Sequence, residues 1–441
     1  MRPKRTESKT DLFRSHLDQI INLNHRLIRL SRQIDWKAFE EKFGTFYHLH
    51  QGRPGLPVRL LAGLTYLSRT FNLSDESVVE GFVENPYWQY FCGYEYFQHR
   101  FPLDASSLVR WRKRIGEDGI EFLLAMTIVT AKRSKVLTKR HLEKVNVDTT
   151  VQEKNITFPT DAKLYYRMCE RLVTEAKKMD VSLRQSYVRL GKKALLIQSR
   201  YAHARQWKRS RREVKRLKTF LGRVVRDIQR KLPIPEGTLA VLLPRAEKLL
   251  VEKRNSKNKL YSIHAPEVEC IAKGKAHKRY EFGCKVSVAT TSRDNWVIGS
   301  QAHHGNPYDG HTLSSVLEQV KRITGWNARD VYCDRGYRGH GYTGASMIHI
   351  VNNRRKNLSR SERYWRGRRA AIEPVIGHLK SDNRLSRNYL KGETGDRFNA
   401  LLAGCGWNLR KLLQILFCLI FGQQDYPKCK QIYPQNMILA G

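Results

Sequence analysis

The sequence predicts an α/β protein with a helical N-terminal domain and a basic helical insertion that interrupts the sheet-bearing core. Three observations carry this. Helical spacing of apolar residues dominates the first third, strand alternation begins only after Tyr261, and the segment 205–231 holds twelve Lys or Arg against Glu213 and Asp227 alone. The chain has 441 residues, enough for several domains. Its 81 Lys and Arg against 41 Asp and Glu give a net charge of +40, self-repelling unless a polyanion lies against it. The natural reading is nucleic acid. The apolar run Leu412–Phe421 is too short to span a bilayer, and no apolar stretch follows the basic start, so a soluble cytoplasmic protein without a membrane partner is expected. Eight scattered cysteines form no CxxC pair, which argues against zinc and a disulfide framework.

Residues 1–15 are polar and read as an arm. Leu17, Ile20, Ile21, Leu27, Ile28 and Leu30 recur at helical spacing, and Asp35-Trp36 closes that segment. After the loop Gly52–Pro57 a helix runs from Val58 to Phe71; Ser74 caps the next, with acidic residues in its first turn. A third begins at Asp104 and carries Arg110, Arg112 and Lys113, which resembles the last helix of a helix-turn-helix module and suits phosphate contact. These helices form an N-terminal DNA-binding and dimerisation domain, 1–135.

Residues 141–161 contain the first strand of the core, Val145-Asn-Val-Asp148. The basic insertion, 162–259, is helical throughout. Val214, Leu217, Leu221, Val224 and Ile228 step by three and four and give it a packing seam, while Arg205, Lys208, Arg209, Arg211, Arg212, Lys215 and Arg216 are too one-sided in sign for an ordinary solvated face and are expected to bind DNA. The rest of the core, 260–385, reads as a hairpin (Tyr280–Thr290 and Asn295–Ser300), a helix from Thr312 to Ile323, strands at Asp330–Cys333 and Met347–Val351, and a helix from Arg363 to Lys380. A helical segment, 386–441, ends the chain.

Two carboxylates stand at the ends of expected strands, Asp148 and Asp334, where open α/β sheets bind ligands. A third, Glu373, shares a helix face with Arg369 and Lys380, and Pro374 beside it fits best in a first turn or at a kink. Three converging carboxylates need a cation between them. Oxygen ligands suit Mg²⁺ or Mn²⁺, and a pair of such ions drives in-line phosphoryl transfer. In the stretch from His303 to His311, Asp309 competes as a fourth carboxylate but is more simply a turn residue.

At these residues the chain resembles the DDE insertion-sequence transposases, in particular the insertion sequence five group. Val147-Asp148-Thr-Thr-Val-Gln-Glu-Lys-Asn-Ile-Thr-Phe-Pro-Thr-Asp161 is similar to the family's first-Asp segment, Asp334-Arg-Gly-Tyr-Arg-Gly339 to its second, and Arg369-Ala-Ala-Ile-Glu373 with Lys380 to its Glu segment. The resemblance implies an RNase H-like catalytic core in which Asp148, Asp334 and Glu373 hold Mg²⁺ (or Mn²⁺) and Arg369 and Lys380 assist. It also implies cleavage of double-stranded DNA at element ends and transfer to target DNA, by a homodimer or higher oligomer at the bacterial nucleoid. The family's tyrosine position holds Arg366, with Tyr364 nearby, and the two Asp lie 186 positions apart because the basic stretch lies between them. A catalytically silent DNA-binding descendant and a plain metal-dependent nuclease are the alternatives.

Overall fold

The computed structural model describes residues 15–47, 54–253, 255–272, 278–351 and 358–421. Most of the arm expected at 1–15, the start of the Gly52 loop and the end of the C-terminal segment lie outside them. The chain divides into two compact units, one built from residues 1–153 and 285–441 and the other from 154–284.

In the first unit, α1 (Leu17–Ile20), α2 (Arg26–Gln33), α3 (Trp36–Gly44), α4 (Val58–Thr70), α5 (Asp75–Glu84), α6 (Pro86–Phe91), α7 (Ser106–Arg133) and α8 (Lys139–Leu142) lead to the strand β1 (Lys144–Glu153). The helical segment expected to end at Asp35-Trp36 ends at Gln33, and Asp35 in addition opens the next helix. Its carboxylate accepts from the Ala38 N–H and starts α3, because an aspartate can end one helix or cap the next with equal local chemistry. Ser74 caps α5 as expected, accepting from the Ser77 N–H at 3.0 Å. The helix α7 is broken at Gly116, whose φ of 65° belongs to the left-handed region that glycine enters without a Cβ clash.

The second unit holds α9 (Asp161–Lys178), α10 (Val188–His203), α11 (Trp207–Lys231), α12 (Gly237–Val251), the strand β2 (Glu269–Ala272) and the start of β3 (Tyr280–Thr291). The seam of α11 is buried at Leu217, Leu221, Val224 and Ile228 and packs against α9, α10 and α12. β2 runs antiparallel to the first residues of β3.

Chain returning to the first unit forms the rest of β3, β4 (Val297–His303), α13 (Leu313–Thr324), β5 (Asp330–Cys333), β6 (Met347–Ile350), α14 (Arg360–Arg368), α15 (Ile372–Asp382) and α16 (Gly392–Phe421). The strand order is β4-β3-β1-β5-β6, antiparallel for β3 with β4 and parallel for β1 with β5 and β5 with β6. One apolar cluster runs from Leu27 through β1, β4, β5 and α13 to Leu416, so the N-terminal helices, the sheet and α16 share a core. Polar groups of α16 register it. Asn408 accepts from the Val297 N–H, donates to the Val297 carbonyl at 2.8 Å and reaches Thr127, all fully buried, which satisfies backbone groups at the start of β4. Among the described residues no helix is long and apolar enough to cross a membrane.

Candidate active site

β1 pairs with β5 only over Lys144 to Asn146, so Asp148 lies two residues past the last parallel pair. The sequence expectation of a short strand ending at Asp148 is corrected here, since β1 continues to Glu153. Gln152 explains it. Its buried amide donates to the Asp396 carbonyl and accepts from Asn399, which pins the second half of β1 to α16. Asp334 follows β5 directly and caps a short turn by accepting from the Gly336 N–H at 2.9 Å. The helix expected over Arg363–Lys380 is interrupted. α14 ends at Arg368, a tight turn spans Arg369–Ala371, and α15 begins at Ile372 with Pro374 in its first turn, where the missing N–H costs nothing.

That break aims Arg369 back at the strands. Its guanidinium lies 2.8 Å from Asp148 Oδ2, 3.7 Å from Asp334 Oδ2 and 2.9 Å from Glu373 Oε1, so three carboxylates distant in sequence converge on one cation. Arg369 and Asp148 are largely buried while the Glu373 side chain is 62% exposed, which leaves the acidic cluster open on one side. Lys380 sits seven residues after Glu373 on the same face of α15 and is half-buried.

Asn146 anchors this arrangement, and the sequence reading passed over it. Fully buried, it donates to the Arg368 carbonyl at 3.0 Å and accepts from Ser292, while Arg368 Nε donates to the Ser292 carbonyl. The signal was present, because Asn146 is a polar residue two before Asp148 on the same face of a strand.

Asp309 also reaches the site. A Cβ added at Gly336 would stand 3.0 Å from Asp334 Oδ1 and 3.1 Å from Asp309 Oδ2, so both carboxylates border one methyl-sized position. Lys285 faces Asp309 at 2.9 Å, close as an ion pair but not aligned as a hydrogen bond. Tyr337, in the turn after Asp334, is fully buried, and its hydroxyl finds no hydrogen-bond partner among the described residues. Burial, then the charges of Cys333, Asp148, Asp309 and Asp334, push that hydroxyl well above its usual range.

His303, near Asp309, accepts or donates at 2.9 Å with Ser287. Burial, then Lys285 and His304, push its pKa down to about 4 from 6.5, against Asp309. The unfolded chain therefore takes up this proton first as pH falls. The contribution of this group to stability is full above pH 6.5 and is lost as pH drops toward 4, by up to about 3 kcal/mol. Urea unfolding at both pH values is expected to show that drop, and a smaller one in His303→Gln.

The residues assigned to DNA separate into two groups. Arg110 and Lys113 are exposed on α7, as are Arg205, Lys208, Arg209, Arg211, Arg212, Lys215 and Arg216 at α11 and its approach. Arg112 is not available. It is 3% exposed and forms a two-point ion pair with Asp75 of α5, so the structure removes it from the DNA-facing set.

Residues 15–114 match the family profile described as Transposase domain (DUF772), and residues 257–409, which contain Asp309, Asp334, Arg369, Glu373 and Lys380, match Transposase DDE domain. A protein of Rhizobium meliloti described as uncharacterized protein ORF8 in nfe locus is 52% identical over 208 residues, covering 47% of this chain and all of that protein. The two profile matches support a DDE-type transposase. No solved structure matches the chain. The DDE domain implies an enzyme acting on DNA.

Proposed function

We propose that this transposase, of the insertion sequence five group and with an RNase H-like core, cleaves DNA at the ends of its element and transfers the freed strands to target DNA, using Asp148, Asp334 and Glu373 as metal ligands. The observation that carries the reading is the meeting of these three carboxylates at one position already filled by positive charge. Hard carboxylate oxygens with an open side fit Mg²⁺ or Mn²⁺. When bound, such ions activate the attacking oxygen and stabilise the leaving one.

The chain's own residues do the rest. Arg369 offsets the mutual repulsion of the carboxylates, and with Asn146 holding the Arg368 carbonyl it fixes the Glu373 helix against β1. Lys380 and the exposed Glu373 face the side from which a phosphodiester approaches. Arg110 and Lys113, and in the second unit Arg205, Lys208, Arg209, Arg211, Arg212, Lys215 and Arg216, bind backbone phosphates and set register without reading bases. Joining two element ends calls for at least a homodimer, working at the bacterial nucleoid in the cytoplasm.

The test is cleavage and joining of labelled duplexes carrying the flanking element ends in Mg²⁺ or Mn²⁺, wild type against Asp334→Ala at fixed salt. Joined products that vanish in the variant support the transposase reading. Cleavage without joining would make the protein a nuclease, and tight binding with neither step would make it a silent DNA-binding descendant.

A further inference from the structure

The second unit carries a cavity of about 530 Å³ beside the C-terminal half of α11. Its walls present Arg184, Arg223, Arg226 and Arg230 around a single carboxylate, Asp227. Arg223, Arg226 and Arg230 follow one another by three and four residues and so share a face, while Val224, Val225 and Ile228 on the other side are buried and fix the helix with that face outward.

Asp227 is already matched. It is 5% exposed, accepts from the Arg184 N–H at 2.8 Å, and pairs with Arg230 at 3.3 Å and Lys231 at 3.5 Å. The guanidinium groups of Arg184, Arg223 and Arg226 remain without a carboxylate among the described residues. Two details place Arg226 and Arg223. Arg226 folds back over Gly222, where a Cβ would meet its Nη1 at 3.2 Å. Arg223 donates to the Tyr187 hydroxyl at 3.2 Å, and Tyr187, stacked on Phe220 with ring centres 4.8 Å apart, keeps a left-handed backbone with φ 56° that a tyrosine adopts only under constraint from its surroundings. A cleft with three forked donors and a neutralised floor is complementary to an oxyanion.

We infer that this cleft docks the phosphodiester backbone of DNA, extending a DNA path beyond the seven basic residues at and before the N-terminal half of α11. A polymer fits better than a single small anion because exposed Arg and Lys continue along α11 from the cleft toward Arg205, a helix of 25 residues spanning about 37 Å, several phosphate spacings. The inference rests on the DNA reading above, and its test separates the two.

Binding of the full chain to a labelled duplex is measured by fluorescence anisotropy across a range of salt. Arg223→Gln/Arg226→Gln is expected to lower the slope of log affinity against log salt by about 1 to 2 and to weaken binding about tenfold at low salt, whereas Lys177→Gln/Lys178→Gln, the same charge change at the exposed end of α9, leaves the slope near wild type. Arg223→Lys/Arg226→Lys restores the slope. Should the double glutamine variant unfold, Arg184→Gln, which removes no side-chain hydrogen bond or ion pair among the described residues, is expected to lower the slope by about 1. Wild-type binding with an unchanged slope in folded variants overturns the cleft and leaves the transposase reading standing. An unchanged slope together with stabilisation of wild type, but not of the variant, by inorganic pyrophosphate reassigns the cleft to a small anion and likewise overturns it. Absence of duplex binding by wild type overturns both readings.

Discussion

Asp148→Asn is expected to reduce strand cleavage by about a thousandfold or more while duplex affinity stays at the wild-type level or rises slightly. The substitution keeps the size and hydrogen-bonding shape of the side chain and removes one negative charge. The loss of rate then reports the charge itself. Asp148 contacts Arg369 at 2.8 Å, yet Arg369 keeps its 2.9 Å contact to Glu373 and its position near Asp334, so the local fold does not depend on Asp148 alone. DNA is repelled by the acidic cluster before any cation enters it, which is why affinity has no reason to fall. A readout independent of catalysis separates metal binding from other roles. Mn²⁺ is expected to raise the melting temperature of the wild type in proportion to the logarithm of its concentration, and to do so far less in Asp148→Asn. A variant that loses activity but keeps the full Mn²⁺ shift would assign Asp148 to a role other than ligand. A variant that cleaves at the wild-type rate would remove Asp148 from the site.

The parts of this site that sequence reasoning reached are those encoded locally. Alternation located β3, and short apolar runs bounded by turn residues located β4, β5 and β6, because such runs are written directly into the residue order. Asp334 was legible because β5 ends at Cys333 and the Arg-Gly-Tyr turn follows at once. Pro374 signalled a break or first turn, and the structure supplies both, with the tight turn that aims Arg369 at the strands. What stayed hidden depends on partners hundreds of residues away. β1 runs past Asp148 because Gln152 bonds to Asp396 and Asn399 of α16, and no local signal records that pairing. Asn146 was readable as polar but not as the group that grips the Arg368 carbonyl, 222 residues on. Arg112 failed for a related reason, since a basic helix reads identically whether an arginine faces phosphate or a half-buried aspartate on another helix, 37 residues earlier.

Asp75→Asn is expected to destabilise the protein by about 3 kcal/mol, more than any single surface substitution, and to leave the intrinsic affinity of the folded protein for DNA unchanged. Arg112 is 3% exposed and meets Asp75 at two points, one of them 2.9 Å from Nη1 to Oδ1. Removing the carboxylate charge leaves a buried guanidinium without its counterion. The effect extends to Arg69, 6% exposed on α4, whose pKa is lowered to about 9 by burial, then by Arg112 and Arg384, with Asp75 acting the other way. Asp75 therefore offsets two buried cations, and it also sits in the first turn of α5, where a negative charge suits the helix dipole. Urea unfolding followed by circular dichroism should show a lower midpoint with the same slope. Lys113→Gln is the contrast. It is exposed, so its stability should change by less than about 0.5 kcal/mol while its DNA affinity becomes less salt-dependent. Asp75→Ala/Arg112→Leu should recover much of the stability, because the cost lies in the unmatched charge rather than in the absent pair. An Asp75→Asn protein with a wild-type midpoint would mean that Arg112 reaches solvent in solution, and the DNA-facing surface of α7 would then run unbroken from Arg110 through Arg112 to Lys113.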